Sequence, residues 1–328
     1  MAALNALFDK KKLALSRAKL RAWWNGDAYD EAAAIAEFEA KRANENTPQA
    51  EGADDELFEF DMPPRLAALA LIWGEGRVRP GDSTADGLEP ARIGLKPEGT
   101  LAVLGPGLVG PIAAVTAAHP GKVEVFEWRE ETLEALKHGV NEAKLDGRVS
   151  VSKIDLEAHV FTPGSFDGLL STDDFAYCGY PPHLAQQIMK SLKPGACAVV
   201  ECYVGFKSDT LATAFASSFA EPQIRAHGDL LQFFADAGLA LEADEDLTDE
   251  FLDTARTAFK NLGAKLQEAG AVEPATAREL AWEAEAWRVR LQLLAQRRLE
   301  RRRFILRKPV EGAAEAPAQA ENTNAPAG

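Results

Sequence analysis

Gly105, Gly107 and Gly110 stand in a G-x-G-x-x-G spacing directly after a short apolar run, and an acid, Glu127, closes the next apolar run. Glycines so spaced let a chain turn tightly beneath a ligand, and an acid roughly 20 residues further on can accept both hydroxyls of a ribose. The turn alone is a weak signal, because glycines between a strand and a helix also serve packing. A second cluster follows at Ser171 to His183, STDDFAYCGYPPH. Asp173, Asp174, Tyr177, Tyr180 and His183 are all groups that can take or give a proton. His183 equally suits capping or solvation ahead of a helix over Leu184 to Leu192, and the two aspartates suit an N-cap or a solvated turn. As a binding pair, adjacent acids suit a cationic or amine partner.

The surrounding elements must bring these groups to one edge. Leu101 to Leu104 reads as a parallel strand covered on both faces. Gly110 lets the next helix pack close to that strand, and Pro111 fits a first helical position. After Glu127 come a helix over Arg129 to Lys137, a turn at Asp146-Gly147, and a third strand, Val149 to Ile154, followed by another acid, Asp155. Arg65 to Trp73 reads as a helix ahead of the first strand. The last third reads as a helix over His227 to Ala237, a short strand over Leu239 to Ala243, long helices over Phe251 to Ala269 and Pro274 to Arg298, and a strand over Arg302 to Arg307. Trp282 and Trp287 on the second long helix suit core or lid packing, or an aromatic cage. In an open α/β sheet, ligands bind outside the carboxyl ends of the strands. The glycine turn, Glu127, Asp155 and the Ser171–His183 loop all emerge at that edge.

This order of motifs resembles the class I S-adenosylmethionine (SAM) dependent methyltransferases. The resemblance extends past the glycine turn to the acids Glu127 and Asp155, to the FDGLLS stretch at Phe166 to Ser171, which looks like the family's fourth strand, and to the SLKPG turn at Ser191 to Gly195 with Ala196 to Val204, which look like its turn and fifth strand. It implies that Gly105, Gly107 and Gly110 form the cofactor turn and that Glu127 binds the SAM ribose. It also implies that Asp155 lies near the adenine amino group with Trp128 and Leu156 beside the ring, and that Ser171 joins the cofactor set. The family usually has an acid two residues before the first motif glycine, where this chain has Val103, so either the methionine end of SAM is held differently or its binding is weakened. The lead-in segment WGEGRVRPGD, Trp73 to Asp82, resembles the family's G-(x)-S-P-G-G segment, with Arg79 and Asp82 replacing a serine and a glycine. It either closes over SAM or is an ordinary helix stop. Methyl transfer is an in-line displacement that mainly needs the nucleophile aligned in a dry site. A base is needed only for an alcohol, phenol or protonated amine acceptor, and Asp173, Tyr177 and His183 are the catalytic candidates.

Length and charge set outer limits. A chain of 328 residues fits one catalytic domain with extensions. Its net charge of −15 disfavours a nucleic-acid substrate. Cys178, Cys197 and Cys202 read as reduced core residues, from which a cytoplasmic location is expected. No metal-ligand pattern and no membrane-spanning run is visible. Ala2 to Trp24 reads as a basic, partly apolar helix joined by a polar linker, Asn44 to Asp55. It is expected either to act as a lid, to touch an anionic membrane, or to dock permanently on the core.

The expected fold is α/β, a doubly wound seven-stranded mostly parallel sheet with an antiparallel last strand and an N-terminal helical extension. The arm and linker occupy 1–55, the SAM-binding domain 56–309 with a helical lid or substrate region at 246–298, and a disordered tail 310–328. The expected function is transfer of a methyl group from SAM to N or O of a small-molecule or lipid-like acceptor. A non-catalytic SAM-binding protein and an NAD-dependent enzyme are the alternatives.

Overall fold

The computed structural model describes residues 30–36, 60–205, 214–215 and 222–310. The helix expected over Ala2 to Trp24, the linker at Asn44 to Asp55 and residues 311–328 of the tail lie outside them. The chain divides into two compact units, Met1–Glu59 and Phe60–Gly328. In the first, residues 31–36 are helical; the sheet belongs to the second.

That unit begins with α1 (Pro64–Trp73) and α2 (Ser83–Arg92) and then alternates through β1 (Thr100–Leu104), α3 (Val109–Ala118), β2 (Lys122–Glu127), α4 (Glu130–Glu142), β3 (Val149–Lys153) and β4 (Phe166–Thr172). A short helix, α5 (Asp174–Tyr177), leads to α6 (Pro181–Ser191), β5 (Leu192–Gly205), α7 (His227–Asp236) and β6 (Ala240–Asp246). Two long helices, α8 (Thr248–Ala269) and α9 (Pro274–Ala295), precede β7 (Leu299–Arg307). The strands form one sheet in the order β3-β2-β1-β4-β5-β7-β6. β1 to β5 are parallel, and β7 runs antiparallel between β5 and β6. This is the seven-stranded, mostly parallel sheet expected from the sequence.

The apolar runs work as two-sided strands. Val103, Leu170 and Val199 face one cluster with Ile112, Val115 and Leu136. Their chain neighbours Leu104, Leu169 and Val200 face the other, with Leu184, Ile188 and Phe234. Burial on both faces explains why these strands are continuous apolar runs and not alternating ones.

Several boundaries differ from the sequence reading for local reasons. The stretch read as a turn before the fifth strand lies inside β5, because Phe166 pairs with Leu192 and Gly168 with Cys197. The residues between loop out of register, and Gly195 takes the left-handed conformation at φ +80 that an ordinary side chain resists. Helix α2 was not expected. Asp82 starts it by accepting from the N–H groups of Thr84 (2.7 Å) and Ala85 (2.9 Å), a true N-cap. Pro111 falls on the third residue of α3, not the first. Trp287 is buried against Trp73, with ring centroids 4.5 Å apart, whereas Trp282 is exposed. Among the described residues no helix is long and apolar enough to cross a membrane.

Gly110 does not bring α3 onto β1, as the spacing suggested. Its N–H donates to the carbonyl of Gly76 at 2.9 Å, and a Cβ there would stand 2.8 Å from that oxygen. The glycine docks the lead-in segment Gly74–Asp82 on the start of α3. Gly110→Ala should therefore destabilise the fold by roughly 1–3 kcal/mol, the cost of overpacking. Urea unfolding at fixed pH measures this, and an unchanged midpoint would mean that the lead-in segment yields freely.

Candidate functional site

The site is built at the carboxyl ends of β1, β2 and β4. After β1 the chain turns through Gly105 and Gly107 at φ +58 and +83. A Cβ on Gly105 would collide with the Asp174 carboxylate, and one on Gly107 with Val78. The free faces of the turn are thus covered by this chain's own side chains.

Glu127 ends β2 with no exposed surface. One carboxylate oxygen, Oε2, accepts from the Gly107 N–H at 2.9 Å. The other accepts from the N–H groups of Trp128 (3.0 Å) and Arg129 (2.8 Å). The Arg129 guanidinium lies within 3.0 Å of both oxygens and stacks 4.2 Å over the Trp128 ring. A carboxylate offers about four lone-pair positions, so Glu127 is fully used.

The loop after β4 supplies two adjacent acids with opposite surroundings. Asp173 sits in the left-handed region at φ +69, uncommon for a residue other than glycine, and pairs with Arg301. Burial pushes its carboxyl up, but the charges of Arg301, Arg79 and Arg129 prevail and hold it below the usual carboxylate range. Asp174 is fully buried. It accepts from the Ser171 hydroxyl at 2.6 Å and the Trp128 indole N–H at 2.8 Å. Burial, aided by the nearby Glu127 charge, pushes its carboxyl up to about 6 against the pull of those hydrogen bonds and of Arg129.

Arg301 is 1% exposed and also reaches Glu201 at 3.2 Å. Arg303 pairs with Glu201 (2.7 Å) and Glu245 (2.9 Å). The sheet register places Glu201 and Glu245 directly opposite Arg303, so the ladder is a set of cross-strand pairs.

Two clefts adjoin this network. The first is a half-open cleft above an apolar floor of Val103, Leu170 and Val199, with the lead-in segment, α2 and α8 as walls. The second is lined by Arg129, Asp173, Tyr177, Tyr203 and Trp287, among others. Among the described residues Arg79 alone lines both.

Of the residues singled out from the sequence, the fold brings together Gly105, Gly107, Glu127, Trp128, Ser171, Asp173 and Tyr177. The Tyr177 ring lies 5.2 Å from that of Trp128. Asp155 and Leu156 lie in the loop after β3. Asp155 is exposed and accepts from the Glu157 N–H at 2.9 Å, while Leu156 is buried and its carbonyl meets the Cys178 sulfur. His183 lines neither cleft. One of its ring nitrogens lies 3.0 Å from the His159 carbonyl, so it packs α6 against the β3–β4 connection. The sequence reading passed over Arg129, which it treated as a helix start, and Arg301, which it left outside the last strand. The run of three arginines from 301 to 303 opposite acidic strand ends was a signal, but only the sheet order shows which acids they meet. Among the described residues no group of three or more His, Cys, Asp or Glu side chains is placed to hold a metal ion.

The sequence matches no protein-family model and no curated protein. Solved structures do match. One is phosphoethanolamine N-methyltransferase 2 of Haemonchus contortus with phosphomonomethylethanolamine and S-adenosylhomocysteine, at a TM-score of 0.65 and 18% identity, covering 74% of this chain and 57% of that one. A candidate sarcosine dimethylglycine methyltransferase of Galdieria sulphuraria matches at 0.61 and 14% identity, covering 76% and 99%. The (4+2) cyclase SpnF matches at 0.56 and 16%, covering 76% and 94%. This chain thus spans little more than half the length of the Haemonchus enzyme. The fold is that of the class I SAM-dependent methyltransferases.

Asp174 makes stability pH-dependent in a definite direction. Its carboxyl titrates higher in the folded protein, about 6, than in an unfolded chain, near 3.9. Its contribution is therefore fully present below about pH 4 and is lost as the pH rises through about 6. Asp174→Asn keeps the acceptor for Trp128 and cannot ionise. Relative to wild type, the variant should gain about 1–2 kcal/mol between pH 5 and pH 7.5. Urea unfolding of both proteins at the two pH values isolates Asp174 from every other titrating group; an equal stability difference at both would contradict the assignment.

Proposed function

We propose that this chain is a SAM-dependent methyltransferase acting on N or O of a small-molecule or lipid-like acceptor. One observation carries the reading. Glu127, the acid that closes β2, is hydrogen-bonded through Oε2 to the N–H of Gly107 in the turn after β1, so ribose acceptor and glycine turn form one unit at the carboxyl edge of a methyltransferase-type sheet. The antiparallel β7 between β5 and β6 departs from the order of dinucleotide-binding sheets and argues against the NAD alternative. The likeness to the Haemonchus enzyme supports a small acceptor.

The donor set fits the cofactor in type and place, with one condition. Glu127 has no lone pair left for a ribose hydroxyl while Arg129 spans both of its oxygens, so Arg129 must leave it. SAM, when bound, supplies a methyl group on a sulfonium. The chain's own part is to position and to keep water out. Asp173, held ionised by Arg301, lines the second cleft together with Glu283 and the guanidinium groups of Arg65, Arg79, Arg129 and Arg290, so it offers an acceptor's amine a carboxylate within an otherwise cationic wall. Tyr177 and Trp128 form an aromatic wall beside it. Asp174 titrates near neutrality and is the better proton acceptor of the adjacent pair, but its two oxygens are engaged by Trp128 and Ser171. His183 has no part in this reading, since its ring is spent on a backbone carbonyl outside both clefts. The buried, unpaired Cys178, Cys197 and Cys202 support the cytoplasmic location that belongs to the proposal.

A second reading keeps SAM binding without turnover. Val103 in place of an acid and the Arg129 bridge on Glu127 favour it, and the cyclase SpnF has the same fold. Calorimetric titration with SAM, S-adenosylhomocysteine and NAD tests binding, and methyl transfer to a panel of small amines and phenols then separates enzyme from binder. Glu127→Gln should weaken SAM by about 1.5–3 kcal/mol, the scale of a lost charge-assisted hydrogen-bond pair. Arg129→Met, which removes the competitor, should bind SAM more tightly than wild type. SAM affinity indifferent to both changes would remove Glu127 from the cofactor site.

A further inference from the structure

The first cleft is ringed by charge that is almost entirely paired. Arg77 holds Asp86 at 2.5 Å. Arg301 and Arg303 hold Glu201, and Arg303 and Arg92 hold Glu89 at 3.4 and 3.2 Å. Asp82 is spent as the N-cap of α2. Glu250 stands at the exposed rim.

Arg79 differs from these arginines. Among the described residues it has no carboxylate within ion-pair distance. Its NH1 donates to the carbonyls of Gly105 (3.1 Å) and Pro106 (3.0 Å). A guanidinium has five N–H donors in a fixed fork, and among the described residues no partner within hydrogen-bond distance takes those on Nε and NH2. Removal from water lowers its pKa against the more distant pull of Asp173 and Asp86. The two backbone carbonyls hold NH1 against the glycine turn, where Arg79 stands between the first and second clefts.

A guanidinium fixed in this way matches the two oxygens of a carboxylate or phosphate. The first cleft is lined by Val103 and Ser171 but by neither Glu127 nor the glycines of the turn, so it adjoins the turn, and the anion bound there belongs either to the acceptor or to the cofactor's amino-acid end, which the titrations below tell apart. We infer that Arg79 is an anion receptor for the acceptor: the substrate carries a carboxylate or phosphate that the Arg79 fork binds at the end of the first cleft next to Gly105 and Pro106. The acceptor part of this inference rests on the methyltransferase reading; the anion site does not.

The probes are inorganic phosphate and acetate, titrated at constant ionic strength into wild type, Arg79→Met and Arg79→Lys and followed by calorimetry, with circular dichroism confirming the fold. Wild type should bind at least one of them. Arg79→Met should weaken that binding by about 10-fold or more, the effect of losing a charge-assisted pair, and Arg79→Lys should recover only part of it because an ammonium lacks the fork. Should Arg79→Met not fold, Arg79→Lys alone is decisive, with a several-fold loss expected. No anion binding by wild type, or binding untouched by either change, overturns the inference. S-adenosylhomocysteine and methylthioadenosine, which lacks the amino-acid end, are titrated alongside. Both should bind wild type and Arg79→Met alike. A loss confined to S-adenosylhomocysteine assigns Arg79 to the cofactor carboxylate and overturns the acceptor assignment. If neither nucleoside binds wild type, the methyltransferase reading fails, while the phosphate and acetate titrations still decide whether Arg79 is an anion site.

Discussion

The hydrogen bond from the Gly107 N–H to Glu127 joins the parts on which everything at the carboxyl edge depends. A carboxylate buried without exposed surface is costly unless it is paired and hydrogen-bonded. Glu127 meets that demand with donors from the turn after β1, from the start of α4 and from Arg129. The turn therefore holds its shape because the acid needs it, and the acid tolerates burial because the turn supplies a donor. Arg129 then stacks on Trp128, and Trp128 reaches Asp174. The loop after β4 is thus fastened to the end of β2 through a chain of polar contacts.

A second chain of charges enters from the opposite side of the sheet. Antiparallel β7 runs between two acid-bearing strands, and its arginines meet Glu201 on β5 and Glu245 on β6 across the register. Arg301 continues the ladder to Asp173. The loop after β4 lies where the two systems converge, with Asp173 belonging to β7 and Asp174 to β2. That division explains how neighbours in sequence titrate in opposite directions. Both are pushed up by burial, but only Asp173 lies against Arg301.

The lead-in segment closes the arrangement from the front. Gly76 rests on Gly110, Val78 covers Gly107, and Arg79 donates to the carbonyls of the turn. Arg79 makes the segment a charged partition between the two clefts. Val103 contributes to the apolar floor of the first cleft.

Much of this was legible in the chain itself. Leu101–Leu104 is apolar without alternation, as a strand buried on both faces requires, Phe166–Ser171 and Ala196–Val204 were legible through the motifs they resemble, and the glycine spacing and Glu127 marked the carboxyl edge. These are local features, determined by neighbours within a few residues. Other features depend on residues far apart. Whether Gly110 meets a strand or Gly76, whether His183 faces a cleft or the His159 carbonyl, and which of Asp173 and Asp174 titrates high all follow from contacts across the sheet. The sequence by itself determined the strands, the turn and the acid that closes β2, because backbone sterics and two-sided burial act locally. Only the tertiary structure decided that Arg129 occupies Glu127, that Arg301 claims Asp173 and that Arg79 is left without a carboxylate among the described residues, because charge pairing depends on distances that only the assembled sheet sets.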